Sequence, residues 1–112
     1  MDGRESVEPV GGHLFGREFL PGGNIAVYRK GAKSWKQFVI KSDDAGQAAV
    51  LLSKLKDTLK EPKFVAHMGG YFGIDGDQPM FVFLKGRWLA GVVGLPEKEA
   101  DMAGRVMALR LD

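Results

Sequence analysis

Between Gln78 and Gly94 two short apolar runs, Met80 to Leu84 and Trp88 to Val93, flank Lys85-Gly86-Arg87, which predicts two strands joined by a tight turn at Gly86-Arg87. A weaker version of the same pattern runs from Asn24 to Lys41, with strands at Ile25 to Lys30 and Trp35 to Lys41 around Gly31-Ala32-Lys33-Ser34. After each hairpin the period changes from two to that of a helix. Ala45, Ala48, Ala49, Leu52, Leu55 and Leu59 form one apolar stripe, with Ser42 placed to cap the helix and Asp43 and Asp44 near its positive end. Lys54, Lys56 and Lys60 crowd the other end, and Pro62 stops the helix by about Lys60. The second helix opens with Pro96 at its first position and Glu97 and Glu99 beside it. Its stripe is Ala100, Ala103, Val106, Met107 and Leu111, with Arg105 and Arg110 toward the C-terminal end.

The two halves read as copies of each other. At a separation of 54, His13 matches His67, Gly16 matches Gly70, Leu52 matches Val106 and Leu55 matches Leu109. Within the hairpins Val27 matches Val82, Tyr28 matches Phe83, Trp35 matches Trp88 and Val39 matches Val92, with length changes confined to turns. The expected fold is therefore α+β: duplicated βββα units over 13–60 and 63–112, forming a mainly antiparallel sheet with two helices packed on it. His13 to Leu20 opens the first unit and Lys63 to Met68 the second, which Gly69–Gly73 and Asp75-Gly76-Asp77 should bulge or bend. Met1 to Gly12 has little to bury and reads as a flexible arm.

A two-residue turn pairs Lys85 with Trp88, so Phe81, Phe83, Trp88, Ala90 and Val92 share one sheet face with Tyr28, Trp35 and Val39. Met80, Val82, Leu84, Leu89 and Val93 share the other with Ile25, Val27, Phe38 and Ile40. Both faces are apolar, and two helices are expected to cover only one of them. Leaving Phe81, Phe83 and Trp88 bare would forgo roughly 10 kcal/mol, as much as the whole stability of a typical domain. Something must cover them: the helices, the arm, a second subunit or a ligand.

A chain of 112 residues is long enough for one well-buried core, and half of it is marginal alone. A net charge of +2 is too small for a nucleic-acid signature. Sheet aromatics interleaved with Lys30, Lys33, Lys36, Lys85 and Arg87 resemble a single-strand platform, but its specific motifs are missing. The absence of cysteine removes disulfides and thiolate metal sites, and no apolar run is long enough to span a bilayer. As written the chain reads as cytoplasmic; a trimmed mature form would be periplasmic.

Candidate chemistry is sparse. His13 and His67 fall at equivalent places, and with Asp75 or Asp77 they are the weak candidates for a metal site; ordinary strand histidines explain them as well. Asp75-Gly76-Asp77 lacks the remaining ligands of a calcium loop and reads as a turn. Gly69-Gly70 lacks the Lys and Ser/Thr of a phosphate loop. No serine sits in a nucleophile elbow.

The segments from Phe15 to Asn24 and from Gly69 to Gly73, with the Lys-Gly-Arg-Trp hairpin, resemble an uncharacterised bacterial domain family whose members are often exported or envelope-associated. That resemblance covers about residues 13 to 111 and implies a duplicated α+β fold and an envelope location, with no catalytic residue and no cofactor. The expectation for function is a non-enzymatic binding or assembly module that self-associates as a homodimer through a sheet face, with Tyr28, Trp35, Phe81, Phe83 and Trp88 as its binding residues. The alternative is a small-ligand or metal-binding protein, or an enzyme, built around His13, His67 and the Gly69–Gly73 segment. A deep polar pocket beside a histidine would favour the alternative, and a flat apolar sheet surface the module.

Overall fold

The computed structural model describes residues 4–12, 21–31 and 33–111. Seven strands form one antiparallel sheet in the order β1-β2-β3-β7-β6-β5-β4. They are β1 (Arg4–Gly12), β2 (Pro21–Lys30), β3 (Lys33–Lys41), β4 (Lys60–Val65), β5 (Gly70–Asp75), β6 (Gln78–Lys85) and β7 (Trp88–Val93). Helix α1 (Ala45–Asp57) follows β3 and helix α2 (Glu97–Arg110) follows β7. No helix among the described residues is long and apolar enough to cross a membrane.

The α+β class and the antiparallel sheet are as expected, but the elements differ in several places. The segment expected as an arm contains β1, whose backbone pairs with β2 from Arg4 to Gly12 and so forms one sheet edge. The expected strand His13 to Leu20 lies outside the described residues. The strand expected at Lys63 to Met68 begins earlier, at Lys60, and ends at Val65 in a 3₁₀ turn, Ala66–Met68. The bulge or bend expected at Gly69–Gly73 is not where the irregularity lies: Gly70 to Asp75 pair with β6 in unbroken register, and the register shift falls earlier, between Lys60 and Lys63, with Glu61 at φ 50°. Ser42 is not the cap of α1: Asp44 is, its carboxylate accepting a hydrogen bond from the Gln47 amide at 2.8 Å. Pro96 likewise stands just outside α2, its carbonyl accepting from the Ala100 amide at 2.8 Å.

The division of side chains between the two sheet faces follows the alternation. Phe38, Ile40, Met80, Val82, Leu89 and Val93 form one buried cluster with Leu52, Leu55 and Leu59 of the α1 segment. Phe81, Phe83, Ala90 and Val92 form the other with Ala100 and Met107 of α2. The helices therefore do not share a side; one lies on each face, and the aromatic face is covered by α2 rather than left bare. Where α2 crosses the sheet it has Gly104 in place of a larger residue, close over the Phe81 and Phe83 rings.

The hairpins β2–β3 and β6–β7 meet through the antiparallel β3–β7 pair. Their central ladder is symmetric about Phe38 and Gly91, with Lys36 facing Val93 and Ile40 facing Leu89. Trp35 and Trp88 occupy matching positions, but Tyr28 pairs with Trp35 as Lys85 pairs with Trp88, so Tyr28 corresponds to Lys85 and not to Phe83. The helices do not match: Leu52 is 6% exposed and Val106 is 51%, while Leu55 is fully buried and Leu109 is 84% exposed.

Candidate functional site

Two concave regions flank α2 on the aromatic side. The first is a groove along β2 and β3 beside the C-terminal turn of the helix. Asn24, Ala26, Tyr28, Gln37 and Val39 line it from the strands, and Met107, Arg110 and Leu111 line it from the α2 segment, around a cavity of about 270 Å³. Asn24, Ala26 and Tyr28 alternate along β2 and face Val39, Gln37 and Trp35 across the ladder, so one strand face supplies the groove. Only the small Ala26 occupies the centre of that row, and α2 lies over β6 and β7 instead. The aromatic face is thus filled under the second hairpin and partly open over the first.

The second region lies between α2 and the end of β4, lined by Val65, His67, Phe81, Glu97, Lys98 and Asp101 around about 330 Å³. His67 Nε2 is 2.9 and 3.0 Å from the two Asp101 carboxylate oxygens, and Arg105 Nη2 is 3.2 Å from one of them. Partial burial pushes the Asp101 carboxyl up, but the His67 hydrogen bond and the charge attraction of Arg105 and His67 outweigh it. The carboxyl is held below its ordinary value of 3.8. At the same mouth Lys63 pairs with Glu97 at 2.9 Å.

A ring nitrogen held by a carboxylate is the orienting half of a general-base pair. The described lining offers no hydroxyl or thiol for the histidine to activate. Nor do three histidine, aspartate or glutamate side chains converge among the described residues in a way that could hold a metal ion. No family model, curated protein or solved structure matches the chain.

The expected binding residues separate into two groups. Phe81 and Phe83 are each 1% exposed and belong to the core beneath α2. Tyr28 is buried but lines the groove, stacked on half-buried Trp35 with ring centroids 5.4 Å apart. Trp88 is half-buried on the other hairpin, with the Lys41 ammonium 5.7 Å from its ring. His67 meets Asp101 and no other expected ligand; His13 lies outside the described residues. Asp75 and Asp77 flank the β5–β6 turn, where Gly76 has φ 66°. Asn24, Ala26 and Arg110 had no sequence signal as site residues, because the groove exists only where α2 fails to reach β2. Asp101 was equally silent, since its partner lies 34 residues away.

Proposed function

We propose that this protein is a non-enzymatic binding module that receives an apolar group of its partner in the groove over β2 and β3. The observation that carries this reading is the open cavity of about 270 Å³ over β2 and β3, on the strip of the aromatic face that α2 leaves uncovered. Its floor is apolar, while Asn24, Gln37 and Arg110 give the rim donors that fix the orientation of what enters. A homodimer in which each copy lodges a side chain in the other's groove is the form of this reading that needs no second component. The hairpins β2–β3 and β6–β7 descend, in this view, from one unit whose first copy was left open for binding.

The experiment fills the groove. Ala26→Trp places an indole at its centre. The wild-type chain should enhance the fluorescence of an anilinonaphthalene sulfonate probe, and Ala26→Trp should not, at unchanged secondary structure. Equal enhancement by both proteins defeats the proposal. Light scattering on the same pair separates the homodimer from a foreign partner: a mass that rises with concentration only in the wild type supports self-association.

The pocket beside His67 favours a second reading, a small-ligand site with the His67–Asp101 pair at its mouth. Glu97, Asp101 and His67 of its lining are already paired within the chain, so a ligand that meets them must displace an existing contact. Chemical-shift changes confined to Val65, His67 and Phe81 on addition of a ligand would favour it over the groove.

A further inference from the structure

Helix α2 is apolar on two sides. Ala100, Gly104 and Met107 are buried toward the sheet, whereas Met102, Val106 and Leu109 are 64%, 51% and 84% exposed. Their spacing of four and then three residues sets them in one outward row. A row of three large apolar side chains on a convex helix is an interaction surface in want of an occupant.

Charge indicates which occupant. Lys33 pairs with Glu99 and Lys63 with Glu97, so both acids of the first turn carry a lysine beside them. Arg105 pairs with Asp101, and Lys85 donates to the Ala108 carbonyl at 2.6 Å near the other end. Lys98 and Arg110 are exposed on the helix itself. Among the described residues on and against α2, these six cations stand against three acids, a net +3 before His67 is counted. The whole chain carries 16 cations and 14 acids, a net +2, so everything else (10 against 11) sums to −1. The described charge on and against α2 is therefore positive, while that of the rest of the chain is not.

We propose that α2 seats on an anionic lipid surface, with Met102, Val106 and Leu109 entering the headgroup layer and the surrounding lysines and arginines meeting lipid phosphates. Apolar residues on a helix bordered by Lys and Arg are the pattern of an interfacial helix, in which burial and attraction to anionic lipid add. A second copy is disfavoured at this surface, because pairing two such rows opposes +3 with +3. A peptide partner would have to supply the groove, since α2 presents a ridge. The seat uses the outward side of α2 and shares only Arg110 with the groove over β2 and β3.

The test is co-sedimentation of the full chain with phosphatidylcholine vesicles, with and without phosphatidylglycerol. Binding should require phosphatidylglycerol and should fall by roughly tenfold or more between low and high salt, as screened charge contacts do. Met102→Asp with Leu109→Asp should abolish it. Both positions are exposed, so the urea midpoint should stay near wild type; Lys98→Glu with Arg105→Glu gives a second, charge-only variant that should also fail to bind. Ala26→Trp should bind as wild type does. Absence of binding to anionic vesicles at low salt overturns the proposal, as does binding that survives both double variants. A concentration-dependent dimer that Met102→Asp with Leu109→Asp dissolves would overturn it in favour of a second copy.

Discussion

Replacing glycine by alanine at two helical positions should shift stability in opposite directions, and the difference tests where α2 rests. At Gly104 an added Cβ would stand 2.8 Å from Phe81 Cε2 and 3.3 Å from Phe81 Cδ2 and Phe83 Cε1. Phe81 is 1% exposed and stacked on Phe83 with centroids 5.5 Å apart, so the ring has little room to turn. Either α2 lifts by several tenths of an ångström or the aromatic pair shifts, and overpacking of this kind costs about 1–3 kcal/mol. Helix propensity returns about 1 kcal/mol, which leaves a net loss of about 1 kcal/mol. Gly46 sits in the first turn of α1 and is exposed, with only the Asp44 carboxylate oxygen within contact, at 3.2 Å. There the propensity gain is largely kept, and Gly46→Ala should stabilise by about 0.5 kcal/mol. Urea unfolding followed by the fluorescence of Trp35 and Trp88 measures both, and the slope should not change between variants. If Gly104→Ala raised the midpoint as Gly46→Ala does, α2 would not lie against Phe81 and Phe83. The aromatic face would then need another of the covers the sequence left open: the arm, a second subunit or a ligand.

Three further substitutions probe the rest of the frame. Gly91→Ala should destabilise by about 3 kcal/mol, because its Cβ would fall 2.3 and 2.5 Å from the Phe38 ring and 2.7 Å from the Phe81 carbonyl oxygen; adding Phe38→Leu should recover part of that loss in a double-mutant cycle. Gly94→Ala should cost about 1–3 kcal/mol by urea unfolding, since its φ of 105° disfavours any L side chain although the new Cβ meets nothing closer than 3.5 Å. Asp101→Asn should lower stability near neutral pH by up to about 1 kcal/mol. Because the folded carboxyl titrates below its ordinary 3.8, its contribution is complete above that value and is lost as pH falls through the folded pKa. The wild-type and Asp101→Asn midpoints should therefore converge in acid, and a gap that persisted there would refute the pairing.

What was legible in the sequence is what short-range periodicity encodes. Alternation along Phe81 to Phe83 and Trp88 to Val92 assigned every hairpin side chain to its sheet face, and turn residues fixed the Gly86-Arg87 register. Periodicity along α2 was read less well. Val106 was counted with the buried stripe through its match to Leu52, although Met102, Val106 and Leu109 form a row of their own. Asp43 and Asp44 both qualified as cap neighbours of Ser42, and one more residue of extended backbone gave the cap to Asp44. The site was not legible, because the groove is defined by the area a helix leaves uncovered. The His67–Asp101 contact, in turn, depends on which face α2 chooses.

That choice turns on a single pair of positions. When the hairpins are matched by their tryptophans, Trp35 with Trp88, Lys41 stands where Gly94 does. Lys41 is still in the ladder, opposite Trp88, and the chain stays extended until Ser42, whose amide donates to the Arg87 carbonyl of the other hairpin at 2.9 Å. Gly94 instead takes φ 105° directly after β7, and its amide donates to the Pro79 carbonyl of its own hairpin at 2.9 Å. Strand side chains alternate, so leaving the ladder one residue earlier sends the chain off the opposite face. A lysine would pay a steric penalty at that φ that glycine avoids. Two hairpins with the same alternation can therefore place their helices on opposite sides of the sheet, and comparison of apolar positions does not detect the difference. The consequence reaches function: α1 closes one face over both hairpins, α2 closes the other over β6 and β7, and the strip on β2 and β3 beside Tyr28 is left open.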